Sequence, residues 1–228
     1  MKSVYDRTEK LIGAEKLEKL KKSSVIVFGL GGVGGHVIEA LARTGVGSIG
    51  IVDYDRVDVT NINRQIIALS STLGSFKADV FRDRIADING NIKVAVFREK
   101  LTVENTDIFC LKNYDYVVDA VDDVAAKIIL IEKAQAYGVP VISSMGTGNK
   151  IDPSRFKISD ISKTHTCPLA KKVRKELATR GLTEVKALFS DEPPEREDKT
   201  GNHPASIAFV PAVAGYLIAG EVVRDLLD

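Results

Sequence analysis

One stretch of the sequence constrains the fold more than any other, and it spans residues 24–55: SVIVFGLGGVGGHVIEALARTGVGSIGIVDYD. It begins with an apolar run over 25–28, which is too short for a helix and rich in β-branched residues, as in a buried parallel strand. Glycines follow at 29, 31, 32, 34 and 35, and they permit a tight turn. Val33, Val37 and Leu41 then recur at the spacing of one helix face. The stretch therefore predicts a strand, a glycine turn and a helix.

A second short strand over 48–52 leads directly into Asp53. An acidic residue about 20 positions after a GxGxxG motif, at the tip of the second strand, is placed to accept hydrogen bonds from a ribose. The helix N-terminus after the glycines can hold a phosphate. Glycine turns also occur where a helix only packs closely on a strand, but here strand, helix, second strand and acid occur together. We predict a nucleotide-binding βαβ unit whose site contains Gly29, Gly31, Gly32, Gly34 and Asp53.

Strands and helices continue to alternate after this unit. Apolar periodicity predicts helices over 76–89, over 103–111 and up to Tyr137, and strands over 92–97, 114–119 and 139–143. This alternation indicates an α/β fold with a doubly wound, mostly parallel, Rossmann-like sheet, whose ligand lies at the carboxyl ends of the strands. Asp53, Asp119, Asp122 and Gly146 all fall on that edge.

Two segments flank this core. Residues 8–22 predict one short amphipathic helix, preceded by Tyr5-Asp6-Arg7. Beyond Met145 we predict a crossing segment with a short strand over 156–161, a basic helix over 169–180, a mobile loop over 189–204, one more strand and an apolar helix over 210–227. We interpret the chain as a single domain with an N-terminal helix and arm (1–22), a nucleotide-binding core (23–146) and an extension with short antiparallel strands for crossover, substrate and dimer contacts (147–228).

Composition excludes several classes of protein. The 228 residues include 32 basic and 31 acidic residues, so no global field marks a nucleic-acid or membrane binder. Two cysteines without a CxxC pair argue against a disulfide scaffold and a tetrahedral zinc site. The charged N-terminus lacks the apolar segment of a signal peptide, and the most apolar run, 205–220, is too short to cross a bilayer. The sequence thus predicts a cytoplasmic protein without a membrane span.

The glycine motif alone leaves the nucleotide undecided. An NAD-dependent oxidoreductase has little use for several cations converging on one phosphate chain, whereas ATP needs Arg or Lys beside its triphosphate and a carboxylate for Mg²⁺. Arg64 lies in the polar segment after Asp53, and Asp122 follows the fourth strand. Lys77 falls in the first turn of a helix. A cation there opposes the helix dipole, so its presence needs another explanation. We expect ATP and Mg²⁺.

These residues form a recognisable series. Asp53-x-Asp55, Asn61-x-x-Arg64-Gln65, Lys77 and Asp119-x-x-Asp122, in this order, resemble the ubiquitin-activating superfamily of adenylating enzymes. The resemblance spans residues 5–150. It implies that Asp53 binds the ribose, that Asn61, Arg64 and Lys77 bind the phosphates, and that Asp122 holds Mg²⁺, with Asp55 in the same site. It also implies a catalytic set of Arg64, Lys77, Asp122 and, reaching into a partner subunit, Arg7.

The last third of the chain narrows the resemblance. The segments THTCPLAKKVRKELATRG, SDEPP and SIAFVPAVAGYLIAGEVVRDLL are similar to the tRNA threonylcarbamoyladenosine dehydratase branch. That branch implies ATP-dependent activation of the threonyl carboxylate and its cyclisation with loss of water, with modified tRNA as substrate. Three alternatives stay open: an enzyme that adenylates the C-terminal glycine of a ubiquitin-like sulfur carrier, a nucleotide-sensing scaffold, and an NAD enzyme. They differ from the first hypothesis in the substrate that is adenylated, in the absence of turnover and in the nucleotide that is bound, respectively.

The partners follow from the same reasoning. We expect a homodimer, because the apolar C-terminal helix offers surface to bury and Arg7 has a role only if a second subunit is present. The basic helix either meets tRNA phosphates or is an ordinary solvated face. The sequence leaves undecided a monovalent cation near the crossing segment and a sulfur-relay protein partner.

Several residues also have ordinary structural explanations. Asp122 or Asp123 could cap the next helix, and Arg64 and Lys77 could pair with surface acids. Cys167 precedes a proline at the head of the basic helix, where a thiolate can be stabilised, but a buried structural thiol is the commoner case. We expect Cys110 in the core, His36 and His203 in structural or solvated positions, and His165 in the crossing segment, where it could approach the substrate.

Overall fold

The computed structural model describes residues 3–195 and 204–228. The strands are β1 Ser24–Phe28, β2 Ser48–Val52, β3 Lys93–Phe97, β4 Tyr116–Asp119, β5 Val141–Ser144, β6 Phe156–Asp160 and β7 Lys186–Ser190. The α-helices are α1 Asp6–Ile12, α2 Ala14–Lys22, α3 Gly34–Thr44, α4 Lys77–Ile88, α5 Val124–Ala136, α6 Pro168–Thr179 and α7 Phe209–Leu227. Short 3₁₀ turns connect several of them. The predicted α/β alternation is confirmed.

The seven strands form one sheet in the order β3-β2-β1-β4-β5-β7-β6. All neighbouring pairs are parallel except β6 with β7. The order reverses between β1 and β4, and Phe28 at the end of β1 lies opposite both Val52 and Asp119. In doubly wound sheets ligands bind in the crevice at such a switch point. The topology therefore fixes the place of the predicted nucleotide site.

The central strands of the sheet bury side chains on both faces. In β1, Val25 and Val27 pack with α3, α4 and α7, whereas Ile26 and Phe28 pack with α5, α6 and the segment before β4. Alternate residues of a strand point to opposite faces, so a strand that is apolar throughout requires helices on both sides. The apolar α7 packs mainly on α3 through Val210, Ala214 and Ile218. Most of the surface that the sequence offered for dimerisation is thus used within the chain.

The N-terminal segment forms two helices rather than the single predicted one. Gly13 separates α1 from α2 with φ 87° and ψ 158°, a conformation that essentially only glycine adopts. The buried Tyr5 ties the start of α1 to the core, because its hydroxyl donates to Ala42 O at 3.0 Å and accepts from Asn89 Nδ2 at 2.9 Å. Ala42 and Asn89 lie at the ends of α3 and α4 that are far from the glycine turn. The arm is therefore anchored at the amino edge of the sheet.

The predicted helix over 103–111 is wrong. This segment contains two 3₁₀ turns, Thr106–Phe109 and Leu111–Asn113, joined at Cys110 in the left-handed region. The side chain of Asn105 accepts from Thr102 N and donates to Lys100 O, both at 2.8 Å. Such local bonds compete with helix formation, and the apolar spacing alone did not reveal them. Cys110 is exposed, so its predicted core position is also wrong.

The C-terminal strands also differ from the prediction. Strand β7 occupies Lys186–Ser190, where no strand was predicted and where the mobile loop was expected to begin at Phe189. The predicted strand before the last helix is absent, since residues 205–208 have no regular structure. Ala205 instead exchanges hydrogen bonds with Asn149. A five-residue strand with mixed polarity gives little periodicity, and residues 196–203 of the predicted loop lie outside the described residues.

In the described part of the chain, no helix has the length and apolar character required to cross a membrane.

The carboxylate of Glu39 generates a prediction about the pH dependence of stability. Glu39 is buried in α3 and accepts hydrogen bonds from Arg43 Nε at 2.7 Å and Arg84 Nε at 2.6 Å. Burial raises the pKa of Glu39, but the bonds and charges of Arg84 and Arg43 outweigh burial and leave the pKa below its ordinary value. We expect Glu39→Gln to lower the free energy of unfolding at pH 7 by about 1–2 kcal/mol.

The loss of stability in Glu39→Gln should become smaller as the pH falls. Because the pKa is lowered by folding, the stabilisation is complete above the ordinary glutamate pKa of about 4.3 and disappears as the pH falls through the folded-state value. Urea titrations of both proteins at pH 7 and at pH 4 and below measure the difference. Glu18→Gln is the matched control, since Glu18 pairs with Lys21 on the exposed face of α2, and it should change nothing measurable. A loss at Glu39 that stays constant with pH contradicts the assignment.

Candidate active site

The candidate site lies where β1, β2 and β4 end. The glycine turn 29–34 follows β1, Asp53 follows β2, and the loop 120–123 leads from β4 into α5. Burial, together with the carboxylates of Asp55 and Asp122, raises the pKa of the Tyr54 hydroxyl. Gly29 N donates to Val52 O at 2.9 Å and Ala120 N donates to Phe28 O at 2.8 Å, so the ends of β2 and β4 flank the glycine turn. Groups from three strand ends meet at one edge of the sheet, as predicted.

The glycine turn is fixed by two close approaches of backbone. Gly29 has φ 85°, and a Cβ there would lie 2.6 Å from Ala120 O. A Cβ on Gly34 would lie 1.8 Å from Gly29 O. Side chains at these two positions would collide with backbone, so the turn and the β4–α5 loop pack together only as glycine allows. A Cβ at Gly31 would meet only Gln65 Nε2, at 3.7 Å, whereas a Cβ at Gly32 would lie 3.1 Å from Pro211 Cβ and 3.5 Å from Arg64 Cγ.

Asp53 has the position predicted for a ribose-binding acid, and it also stabilises the turn. Its side chain is 8% exposed. Oδ2 accepts from Leu30 N at 2.7 Å and Oδ1 accepts from Asp55 N at 2.8 Å. Burial raises the pKa of Asp53, while the charge of Lys77 and the two backbone N–H groups act in the opposite direction. Each carboxylate oxygen can accept a second hydrogen bond.

Lys77, in the first turn of α4, forms an ion pair that explains why a cation lies there. The residue is 5% exposed, and Nζ donates to Asp55 Oδ2 at 2.8 Å. The side chain of Asp55 is half exposed. Both explanations offered by the sequence therefore apply. Lys77 has an acidic partner, Asp55, and it also lies beside Asp53 of the candidate site. An anion entering the site could compete with Asp55 for the same ammonium group.

The polar segment after β2 presents Asn61 and Arg64. Asn61 is buried, and its Oδ1 accepts from Asp58 N at 3.2 Å in a capping box over Val59–Asn61. Arg64 is half-buried and donates through one terminal nitrogen to Thr60 O and Asn63 Oδ1, both at 2.9 Å. Its bonds are to neutral oxygens, and no acidic partner for it occurs among residues 3–195 and 204–228. The predicted alternative of surface ion pairing therefore does not hold for Arg64.

Gln65 is a candidate binding residue that the sequence reasoning missed. It is 7% exposed and lies beside position 31 of the glycine turn. In the described part of the chain, its Oε1 is the one buried side-chain oxygen without a hydrogen-bond partner. A buried acceptor without a partner costs free energy. Its adjacency to Arg64 in the Asn61-x-x-Arg64-Gln65 motif was the available signal, and an amide that faces the turn is suited to hydrogen-bond a ligand there.

The loop from β4 to α5 separates the roles of three aspartates. Asp119 is fully buried and pairs with Lys127 Nζ at 3.0 Å. Asp123 caps α5 by accepting from Ala126 N at 2.8 Å. Asp122 between them is exposed and accepts no hydrogen bond from the described residues. The capping explanation therefore applies to Asp123, and Asp122 keeps a carboxylate that is available to a ligand.

Arg7 does not belong to the site of its own chain. It is exposed in α1, two residues after the Tyr5 anchor at the amino edge of the sheet. The structure therefore brings together the glycine turn, Asp53, Asp55, Asn61, Arg64, Lys77 and Asp122, and leaves Arg7 apart from them. A contribution from Arg7 requires a second chain.

Two of the other candidate side chains, Cys167 and His36, have structural positions. Cys167 is buried at the start of α6, and His36 is bonded through Nδ1 to Gly32 O at 2.7 Å. His165 is exposed and packs edge-on against Phe189, and His203 lies outside the described residues. Within the ranges 3–195 and 204–228, no group of three His, Cys, Asp or Glu side chains is arranged to hold a metal ion. A single carboxylate such as Asp122 suits Mg²⁺ that is held mainly by ligand phosphates.

The fold and this site define a family. The ThiF family model matches residues 5–228, and the chain belongs to that family. A tRNA threonylcarbamoyladenosine dehydratase from Bacillus subtilis is 48% identical in an alignment that covers 98% of this chain and 94% of the relative. A sulfur carrier protein adenylyltransferase from Thermus thermophilus is 31% identical, covering 95% of this chain and 73% of the relative.

A solved structure supports the same relationship. The structure of Escherichia coli tRNA N6-threonylcarbamoyladenosine dehydratase, TcdA, in complex with ATP superposes with a TM-score of 0.91 at 33% sequence identity. The match covers 98% of this chain and 93% of that one. The resemblance stated from the sequence is therefore confirmed, both for the superfamily and for the branch.

The collision at Gly34 generates a prediction about the glycine turn. We expect Gly34→Ala to lower the free energy of unfolding by at least about 2 kcal/mol, because its methyl group would overlap a backbone oxygen that is locked against Ala120. Urea denaturation followed by circular dichroism measures the change. Gly90→Ala is the matched control, since its Cβ would meet only Ala86 O at 3.7 Å. Equal stability of the two variants would contradict this account of the turn.

Proposed function

We propose that this chain is an ATP-dependent tRNA threonylcarbamoyladenosine dehydratase. The observation that carries the proposal is the 48% identity, over nearly the whole length of both chains, to a relative with that name. In the reaction, the threonyl carboxylate of the modified adenosine is activated, and the carbamoyl group of the same nucleoside closes a ring on it. The activated oxygen leaves with AMP or with phosphate, so the net change in the nucleoside is the loss of one water.

The residues of the site fit ATP. The backbone at Gly31 is open, since a Cβ there would meet only Gln65 Nε2 at 3.7 Å, and in the described residues Gln65 Oε1 is a buried acceptor without a partner. Asp53 is positioned at the tip of β2 for the ribose. When bound, ATP supplies the leaving group that a carboxylate lacks, because expulsion of oxide is prohibitively unfavourable. The chain's task is then to bind, orient and neutralise charge.

Two cations and a carboxylate of the site are suited to bind the phosphates and the metal. Arg64 and Lys77 are suited to the phosphates, since Arg64 has only neutral partners in the described ranges and Lys77 is held near Asp53 by its bond to Asp55. Asp122 would hold Mg²⁺, because its exposed carboxylate is not used by the fold. Asn61 stabilises the capped turn that precedes Arg64, and the resemblance assigns it to phosphate binding as well. These assignments follow the order of the motif from which they were predicted.

An enzyme nucleophile is not required by this chemistry. The attacking group belongs to the same nucleoside as the activated carboxylate, so positioning it replaces a covalent enzyme intermediate. The burial of Cys167 agrees with this, since a thiol that accepts an acyl group must reach the substrate.

Activation of a sulfur-carrier protein is the second candidate. The observation in its favour is the 31% identity to a sulfur carrier protein adenylyltransferase, since the same nucleotide site could activate a C-terminal glycine. The higher identity to the dehydratase favours tRNA as substrate. ATP–pyrophosphate exchange that requires a sulfur-carrier protein and not tRNA would select this alternative.

Homodimerisation is part of the proposal because Arg7 is remote from its own site. Exposed apolar side chains support it, among them Ile62, Leu69, Leu73, Phe209, Tyr216 and Leu217. The two segments that carry them meet where Asn63 Nδ2 donates to Ser206 O at 3.1 Å. A second copy covering these residues could bring its Arg7 toward the site. A cytoplasmic location remains a prediction from the sequence, which leaves a monovalent cation and a sulfur-relay partner undecided.

The site assignments predict the behaviour of three variants. With threonylcarbamoylated tRNA, ATP and Mg²⁺, we expect Arg64→Ala, Lys77→Ala and Asp122→Ala each to slow release of AMP or ADP by about 100-fold or more, because each removes a charge that faces the phosphates or the metal. Mass analysis of digested nucleosides follows the product in the same samples. Lys112→Ala, at the opposite edge of the sheet, is the control and should retain the wild-type rate. Three variants with undiminished release would show that the pocket has been misread.

The outer face of α6 predicts how tRNA binds. Lys171, Lys172 and Lys175 are exposed, whereas Arg174 donates to Thr164 O and Oγ1 and is used by the fold. We expect the triple change of these lysines to Glu to weaken tRNA binding. The salt dependence should also fall, by about 0.9 in slope for each phosphate that the lysines no longer neutralise.

Filter binding of tRNA over a salt series measures both quantities. The matched control reverses three exposed lysines on α2, Lys16, Lys19 and Lys22, and thus makes the same change in net charge. If both triple variants bind equally well, α6 is an ordinary solvated face.

A further inference from the structure

A buried ion pair lies directly behind the candidate site. Lys127 of α5 and Asp119 of β4 are both 0% exposed, and Nζ lies 3.0 Å from Oδ2. Nζ also donates to Ser144 O at 2.7 Å, and Ser143 Oγ donates to Asp119 Oδ2. The pair therefore joins β4, β5 and α5 at the carboxyl edge of the sheet.

Stability alone is a poor explanation for such a pair. Removing two charges from water costs several kcal/mol per ion, and apolar residues of similar volume often serve the fold equally well. The pair lies behind the candidate site, so a functional role is the better explanation. The contacts of the loop 120–123 indicate this role.

The loop 120–123 is held at every residue except Asp122. Ala120 N donates to Phe28 O at 2.8 Å, and Val121 N donates to Asp119 Oδ1 at 3.2 Å. Asp123 caps α5, and Lys127 N donates to Asp123 O at 3.1 Å. Lys127 thus fixes both ends of the loop, through its charge at Asp119 and through its own helix at Asp123.

We propose that Lys127, through Asp119, is a positioning residue that holds the Asp122 carboxylate in the orientation needed for the metal of the bound nucleotide. This inference rests on the proposed function of Asp122. Lys127 itself is enclosed by protein and touches neither the nucleotide nor the reacting atoms. Its contribution is a fixed direction of the β4–α5 loop. Partners that orient a metal ligand in this way commonly change metal affinity by about 10–100-fold.

The test measures binding, without reliance on turnover. Calorimetry gives the affinity for ATP with and without Mg²⁺, and the ratio of the two affinities reports the metal. We expect Lys127→Met to reduce this ratio about tenfold. Hydrogen exchange of the unliganded protein gives a second readout, and the peptide covering residues 120–127 should exchange faster in the variant.

A double variant separates positioning from folding. Lys127→Met alone leaves a buried carboxylate without a cation and is expected to be less stable. Asp119→Asn combined with Lys127→Met has no buried charge, so its denaturation midpoint should return toward the wild-type value. The loss of the Mg²⁺ effect should remain in this double variant, because the link from α5 to the two strands is still missing.

Two comparisons decide the outcome. Lys186→Met is the matched control, since it removes the lysine that bonds Glu221 and Asp225 at the amino edge of the sheet, and it should leave the Mg²⁺ effect intact. Asp122→Asn should lose that effect. A folded double variant with the wild-type ratio, or an equal loss in Lys186→Met, overturns the proposal. If the wild-type protein makes no cyclised nucleoside, the proposed function is refuted instead. The binding comparison then still tests the role of Lys127.

Discussion

The close contact between two stretches of backbone underlies the whole site. Gly34 packs against the carbonyl oxygen of Gly29, and Gly29 packs against that of Ala120, with no space for a Cβ at either glycine. The first turn of α3 is therefore locked to the end of β1, and both are locked to the loop after β4. Every other feature of the site is arranged around this contact, including the amide of Gln65 and the half-buried Arg64 that face the turn.

Charge is distributed over this frame according to access to water. The buried groups have partners within the protein, as Asp53 has backbone N–H groups and Lys77 has Asp55. The exposed Asp122 has none among the described residues. Because burial penalises a charge that has no partner, only groups near the opening of the site can remain ionised while no ligand is bound. Lys77 is intermediate between the two cases, since its partner is half exposed and can yield to an anion.

The sequence predicted those parts of the molecule where local pattern and tertiary structure agree. The turn after β1, the acid after β2 and the lysine at the start of α4 each lie where strand ends place them. The failures have separate causes. The segment 103–111 has helical spacing, but Asn105 bonds its own neighbourhood and Cys110 adopts a left-handed conformation. Strand β7 is short and depends on β5 and β6 for its hydrogen bonds. Gln65 is buried only because the segment 56–75 folds back over the turn, which no local pattern shows.

The joint between α1 and α2 has a consequence for any assembly of this chain. At Gly13 the backbone has a conformation that a residue with a side chain essentially cannot adopt, and the chain leaves it in a new direction. A methyl group at position 13 would strain this joint, whereas the hydroxyl of Tyr5 holds the other end of α1 against the core. The first helix is thus fixed at both ends, and the exposed Arg7 lies between the Tyr5 anchor and the Gly13 joint.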